Sequence, residues 1–140
     1  VRGLSVLVVD DHESVRTSVQ RLLDREGFCV VSASSAEEAL RMCAVREYDV
    51  VLSDLQMRGM SGCGLFRALR ASGCRSKLVL MSGSQASERE RQAGVEDCVI
   101  KKPFRREEVV QVLRSLSASE KERPHEEGVW TLGDRRSRLG

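Results

Sequence analysis

Groups capable of chemistry stand where the apolar runs of this chain stop. Asp10 and Asp11 close the run from Leu4 to Val9, and Asp54 follows Asp49 to Ser53. Ser82 follows Lys77 to Met81, and Lys102 comes just after Cys98 to Ile100. Side-by-side carboxylates repel and are costly to desolvate, so a buried run that ends on two of them needs a compensating partner. Three carboxylates brought together would push one another's pKa upward unless a cation neutralised them. A hard divalent ion suits an all-oxygen donor set, and the sequence offers no histidine–cysteine cluster for a softer metal. With Asp10 and Asp11 holding Mg2+, Asp54 is left as a nucleophile toward a phosphoryl group. The ion, a hydroxyl and a lysine would then neutralise the charge spread over the phosphoryl oxygens.

That chemistry requires a scaffold that gathers run ends, and the hydrophobic pattern supplies one. Leu4 to Val9 is a continuous apolar run of strand length. From Glu13 to Glu26, Val15, Val19, Leu22 and Leu23 fall at helical spacing, and Gly27 supplies a stop. Phe28 to Ala33 reads as a second strand. Ser35 then caps a helix with the face Ala36, Ala39, Leu40, Cys43 and Ala44, and Glu37 and Glu38 complement its first turn. Asp49 to Ser53 gives a third strand, and a glycine-punctuated RGMSG loop leads into a helix over Gly64 to Ala71. Lys77 to Met81 is a fourth strand, Gln85 to Ala93 a polar helix, and Cys98 to Ile100 a fifth strand. Arg105 to Leu116 closes the series with an amphipathic helix on Val109, Val110, Leu113 and Leu116. Buried strands alternating with helices imply a doubly wound α/β fold, a five-stranded parallel sheet with five helices on its two faces. In such sheets functional groups collect at the carboxyl ends of the strands, where all four segments above terminate.

Composition narrows the rest. The chain has 140 residues, 41% hydrophobic and 31% charged, enough for one domain with a real core and a short appendage. Its net charge of +2 is too small and too evenly spread to favour direct nucleic-acid contact, and Arg105-Arg106 extend into no basic stripe. No apolar run reaches the ~20 residues of a membrane span, and Val1-Arg2-Gly3 leads into the first run without a signal-peptide pattern. Five cysteines without a C-x-x-C pair point to ordinary small side chains in a reducing cytoplasm. His12 reads as an exposed loop residue, Lys101 as a solvated charge, and His125 as part of the tail. From Ser117 the composition turns polar, as in SASEKERPHEEG, with Val129, Trp130 and Leu132 as the tail's only sizeable apolar residues.

Four motifs in order, VVDDH, SDLQMRGMSG, LMSGS and KKPF, make the segment from about Leu4 to Leu116 resemble the receiver domain of two-component response regulators. The resemblance implies a flavodoxin-like strand order 2-1-3-4-5, with residues 1–117 as the receiver domain and 118–140 as a polar linker or C-terminal tail. It implies that Asp54 is the phosphoacceptor and that Asp10, Asp11, Asp54 and the backbone carbonyl of Gln56 ligate Mg2+. Ser82 matches the switch hydroxyl and Lys102 the lysine that contacts the phosphoryl group, with a typically cis peptide bond to Pro103. The donor would be a phosphohistidine on a histidine kinase or histidine phosphotransfer protein. Phosphorylation would switch the domain to regulate a partner or an attached domain, with a phosphorylation-dependent homodimer as one output. Such a domain catalyses its own phosphorylation and dephosphorylation without being a conventional turnover enzyme.

Three departures separate this chain from that pattern. Arg58 replaces the usual proline after the acceptor-loop methionine, bringing a cation near the acidic pocket, and altered phosphorylation kinetics are expected. Val99, or Cys98 in a shifted alignment, stands where an aromatic switch residue is usual. The segment from Ser82 to Gly94 is short, which points to a short or distorted fourth helix and a different output face. Two other functions compete. An aspartyl-nucleophile phosphatase would carry D-x-D on its first strand and a cap insertion, whereas this chain has Asp-Asp-His and no segment long enough for a cap. A receiver-like docking module with little phosphorylation is the other, and the chain is equally compatible with a stand-alone regulator or a receiver fragment of a hybrid histidine kinase.

Overall fold

All five apolar runs form strands, and all pair in parallel. The computed structural model describes residues 3–83 and 96–121. Its elements are β1 (Ser5–Val9), α1 (Glu13–Arg25), β2 (Cys29–Ala33), α2 (Ala36–Val45), β3 (Val50–Asp54), α3 (Gly62–Ala71), β4 (Lys77–Ser82), β5 (Cys98–Lys101) and α4 (Arg106–Lys121). The strand order is β2-β1-β3-β4-β5, as the resemblance implied. Four helices lie among the described residues; the helix expected over Gln85 to Ala93 falls outside them, as do residues 122–140 with His125 and Trp130. Two units divide the chain, Val1–Val110 and Gln111–Gly140. The first holds the whole sheet, α1 to α3 and the start of α4.

Alternation along the strands sends successive side chains to opposite faces. Leu7, Val9, Val51, Leu78 and Leu80 join one buried cluster with Ala36 and Ala39 of α2 and Leu65, Phe66 and Leu69 of α3. The intervening Val6, Val8, Val50, Leu52, Val79 and Met81 are buried too and point to the other face, where α1 contributes Val19 and Leu23. Strands covered on both sides explain why these runs read as continuously apolar.

Local chemistry fixes the ends of the helices. The Ser35 hydroxyl accepts the Glu38 N–H of the first turn at 3.0 Å, and Glu38 Oε1 in turn reaches back to accept the Ser34 N–H just before the cap at 2.8 Å. The Ser61 hydroxyl caps α3 through the Gly64 N–H at 3.1 Å, which starts that helix two residues earlier than periodicity alone suggests. Gly27, at φ +93, ends α1 in a left-handed conformation that a side chain would resist, and its N–H reaches the Asp24 carbonyl. At the other end of the sheet a polar clamp starts β5. Asp97 Oδ2 accepts the Leu78 N–H at 2.7 Å and the Arg70 guanidinium at 2.9 Å, while Arg70 also donates to the carbonyls of Cys74 and Ser76.

The final helix continues past Leu116 to Lys121, so the polar segment begins as helix. Arg105 and Arg106 do decorate its start. The Arg105 N–H donates to Glu108 Oε1, and Arg106 lies 3.7 Å from both Glu26 and Glu107 carboxylates.

Candidate functional site

The sheet order places β1 and β3 side by side at its centre, with β2 to one side and β4 and β5 to the other. The chain reverses direction across the sheet between β1 and β3, so helices leave to opposite faces and a crevice opens at their carboxyl ends. Register fixes what enters it. Val9 pairs with Ser53, Asp54 with Met81, and Ser82 with Lys101, so Asp10, Asp54, Ser82 and Lys102 reach one edge.

Side-chain geometry closes the group. Lys102 Nζ donates to Asp54 Oδ1 at 3.1 Å and lies 3.8 Å from Asp10 Oδ2. Asp10, Asp11, His12 and Asp54 each offer a ligand atom, and these atoms all fall within 4.8 Å of one another. Asp10 and Asp54 are buried; Lys102 is 27% exposed, so its charge reaches the cluster from the solvent side. Asp10 Oδ1 accepts the His12 N–H at 2.9 Å, and the Asp10 carbonyl accepts from the Arg16 guanidinium at 2.8 Å. That turn, not a side-chain cap, precedes α1: His12 occupies the N-cap position and its ring makes no capping bond.

Two oxygens of the cluster lack a hydrogen bond, although nitrogens of Lys102 and His12 stand 3.8 Å and 3.1 Å from them. Asp10 Oδ2 and Asp11 Oδ1 are buried and accept no hydrogen bond. A buried carboxylate oxygen without a partner is costly, and two that face a third carboxylate are the arrangement a divalent cation relieves. The donor set is oxygen apart from His12, whose Nδ1 lies 3.3 Å from Asp10 Oδ1 and 3.1 Å from Asp11 Oδ1. His12 is 68% exposed, as the sequence suggested, yet it stands against the acid pair. The residues present therefore fit a hard, oxygen-seeking ion such as Mg2+.

Electrostatics split the carboxylates. Burial pushes the Asp54 carboxyl above its ordinary pKa; the Lys102 hydrogen bond and charge oppose this, and the charge of Asp10 adds to it. Asp11 moves the other way, because the Arg58 backbone N–H holds its carboxyl down against burial, helped by the Arg58 side chain and His12.

The remaining expected residues lie on or just after strands that end at this edge of the sheet. Ser82 is buried at the end of β4, and its hydroxyl donates to the Gly83 carbonyl at 3.2 Å. Gln56 is exposed in the loop after β3. Lys101 is exposed, and the Lys102–Pro103 peptide bond is cis. Val99 is half-buried and packs against the α2–α3 cluster, so no aromatic ring lies at that position. Two basic residues join the site. Arg58 is one, the cation that its place in the acceptor loop brings near the acids. Arg16 of α1 is the other, and no motif pointed to it.

Comparison with known proteins agrees with this fold. The family model of the response regulator receiver domain matches residues 6–114. The sensory/regulatory protein RpfC of Xanthomonas campestris pv. campestris is 36% identical over 126 residues, covering 85% of this chain and 17% of that protein. The cell cycle response regulator CtrA of Brucella ovis is 28% identical over 141 residues, covering 94% of this chain and 56% of CtrA. The chain thus spans just over half of one curated relative and a small part of the other. Among solved structures, the chemotaxis protein CheY4 of Vibrio cholerae superposes with a TM-score of 0.75 at 27% identity, covering 81% of this chain and 98% of CheY4. FixJ-N superposes with a TM-score of 0.77 at 26% identity, covering 92% of this chain and 100% of that one. Among the described residues no helix is long and apolar enough to cross a membrane.

Proposed function

The chain belongs to the response regulator receiver domain family, and we propose that within it Asp54 accepts a phosphoryl group with the help of Mg2+ held by Asp10, Asp11, Asp54 and the Gln56 carbonyl. The observation that carries this reading is the pair of buried oxygens on Asp10 and Asp11 that accept no hydrogen bond, set beside an Asp54 that is itself held by Lys102. Mg2+, when bound, would supply positive charge to the phosphoryl oxygens. A carboxylate oxygen of Asp54 attacks phosphorus, the phosphorus–nitrogen bond of a donor phosphohistidine breaks, and the imidazole leaves with the electron pair. Lys102, already 3.1 Å from Asp54, holds a phosphoryl oxygen from the other side. The Ser82 hydroxyl, bonded to a local carbonyl, exchanges that partner for the phosphoryl group and biases the segment around β4 and β5.

The donor is a histidine kinase or histidine phosphotransfer protein, and the output is a downstream partner, an attached domain or a homodimer. Residues 1–117 act as the receiver and 118–140 as linker or tail. The five free cysteines are consistent with a reducing, cytoplasmic setting.

Incubation with Mg2+ and a small phosphodonor such as acetyl phosphate tests the reading. Wild type takes up one phosphoryl group per chain, EDTA abolishes uptake, and amide exchange changes between Ser82 and Phe104. Uptake by Asp54→Asn equal to that of wild type contradicts it.

A further inference from the structure

Arg58 reaches back from the acceptor loop to grip Asp11, one of the two acids at the end of β1. Its backbone N–H donates to Asp11 Oδ2 at 2.9 Å, and its Nε lies 3.3 Å from the same oxygen. The other oxygen, Oδ1, is the buried one without a hydrogen bond. We propose that Arg58 is a tethered counter-ion that competes with the divalent cation for the acid pair and so sets how much Mg2+ the site requires. The inference rests on the Mg2+ reading above and adds a residue that tunes it.

Charge gives the direction. The Arg58 guanidinium lowers by one unit whatever negative charge Asp10, Asp11 and Asp54 carry beside Lys102 and Arg16. A dication is attracted less strongly to the smaller charge. The guanidinium is 90% exposed, so water and salt screen it, and the effect is a few-fold change rather than an all-or-none block.

The two contacts of Arg58 are separable. Any residue except proline keeps the backbone N–H, so the orientation of Asp11 survives when the side chain is shortened. Removing the guanidinium therefore removes the competing charge and leaves the carboxylate aimed as before. A residue that only positioned Asp11 would produce the opposite result, weaker binding on truncation.

Calorimetric titration of Mg2+ into wild type, Arg58→Ala, Arg58→Lys and Arg58→Glu, at low and high salt, decides between these. Circular dichroism verifies that each variant is folded, and the Lys and Glu variants carry the test if alanine disturbs the loop. At low salt Arg58→Ala binds Mg2+ about 3–10-fold more tightly than wild type, and Arg58→Glu more tightly still. Arg58→Lys stays within about 2-fold of wild type, and the differences contract at high salt. Equal or weaker binding by the Ala and Glu variants overturns the proposal while leaving the phosphoacceptor reading intact. A wild type with no saturable Mg2+ binding overturns both.

Discussion

Asp54 sits in an environment that disfavours its own charge. Burial raises its pKa above the unfolded value, so in the window between the two the folded state binds more protons than the unfolded one. Stability from this source is present below the unfolded pKa and is lost as pH rises through the folded value. Asp11 behaves oppositely, since its depressed pKa contributes stability above the unfolded value and loses it as pH falls from about 3.8 toward the folded pKa. Burial thus works against ionisation of Asp54 in the metal-free protein. Asp54→Asn should raise the melting temperature in EDTA by a few degrees, on the order of 1 kcal/mol, and the gain should shrink when Mg2+ is added. Differential scanning calorimetry with and without Mg2+ measures both; a destabilised variant would show that Asp54 is comfortably satisfied. Lys102→Ala, which removes the donor at 3.1 Å from Asp54, should slow phosphoryl uptake by about 10–100-fold. The positions of Asp10, Asp11, Asp54 and Lys102 were legible because each follows an apolar run, and strand ends of a parallel sheet share an edge. The grip of Arg58 on Asp11 was not, because it depends on the path of a glycine-punctuated loop that no periodicity describes.

Elements place these residues through a few specific contacts. Gly62, the first residue of α3, donates its N–H to the Leu55 carbonyl at 2.9 Å and runs against the end of β3. A Cβ there would strike the Asp54 backbone carbonyl and come within 3.0 Å of Leu80 Cδ2. Gly62→Ala should therefore cost about 1–3 kcal/mol in urea denaturation and slow phosphorylation by displacing the acceptor strand. Unchanged stability would mean that α3 can shift freely from β3. Ser35→Ala removes the hydroxyl that accepts the Glu38 N–H and should cost about 1 kcal/mol in urea denaturation. The Ser35 cap could be read from Ser-Ala-Glu-Glu before an apolar face. The Ser61 cap was hidden inside the loop motif, and α3 consequently begins earlier than its apolar spacing suggests. The Arg70–Asp97 clamp was equally hidden, because Asp97 lies 27 residues from Arg70 and 19 from Leu78, beyond the reach of any local pattern.

The fold as a whole converts distant segments into one charge cluster, and that convergence ties stability to the ion. If Mg2+ binds the folded state alone, it raises stability by mass action, by about 2.7 kcal/mol at a hundredfold excess over its dissociation constant. The sheet order was legible from alternating runs and helices joined to the family resemblance. The domain's exit was less so, since α4 carries helix on to Lys121 past the change in composition at Ser117. The most direct measurement locates the acyl phosphate itself. Protein treated with a phosphodonor and Mg2+ is reduced with borohydride, which turns an aspartyl phosphate into homoserine, and its peptides are sequenced by mass spectrometry. The expected result is homoserine at position 54 only, lost in EDTA and in Lys102→Ala at short times. Homoserine at Asp10 or Asp11, or none anywhere under conditions that label another receiver domain, would contradict the account.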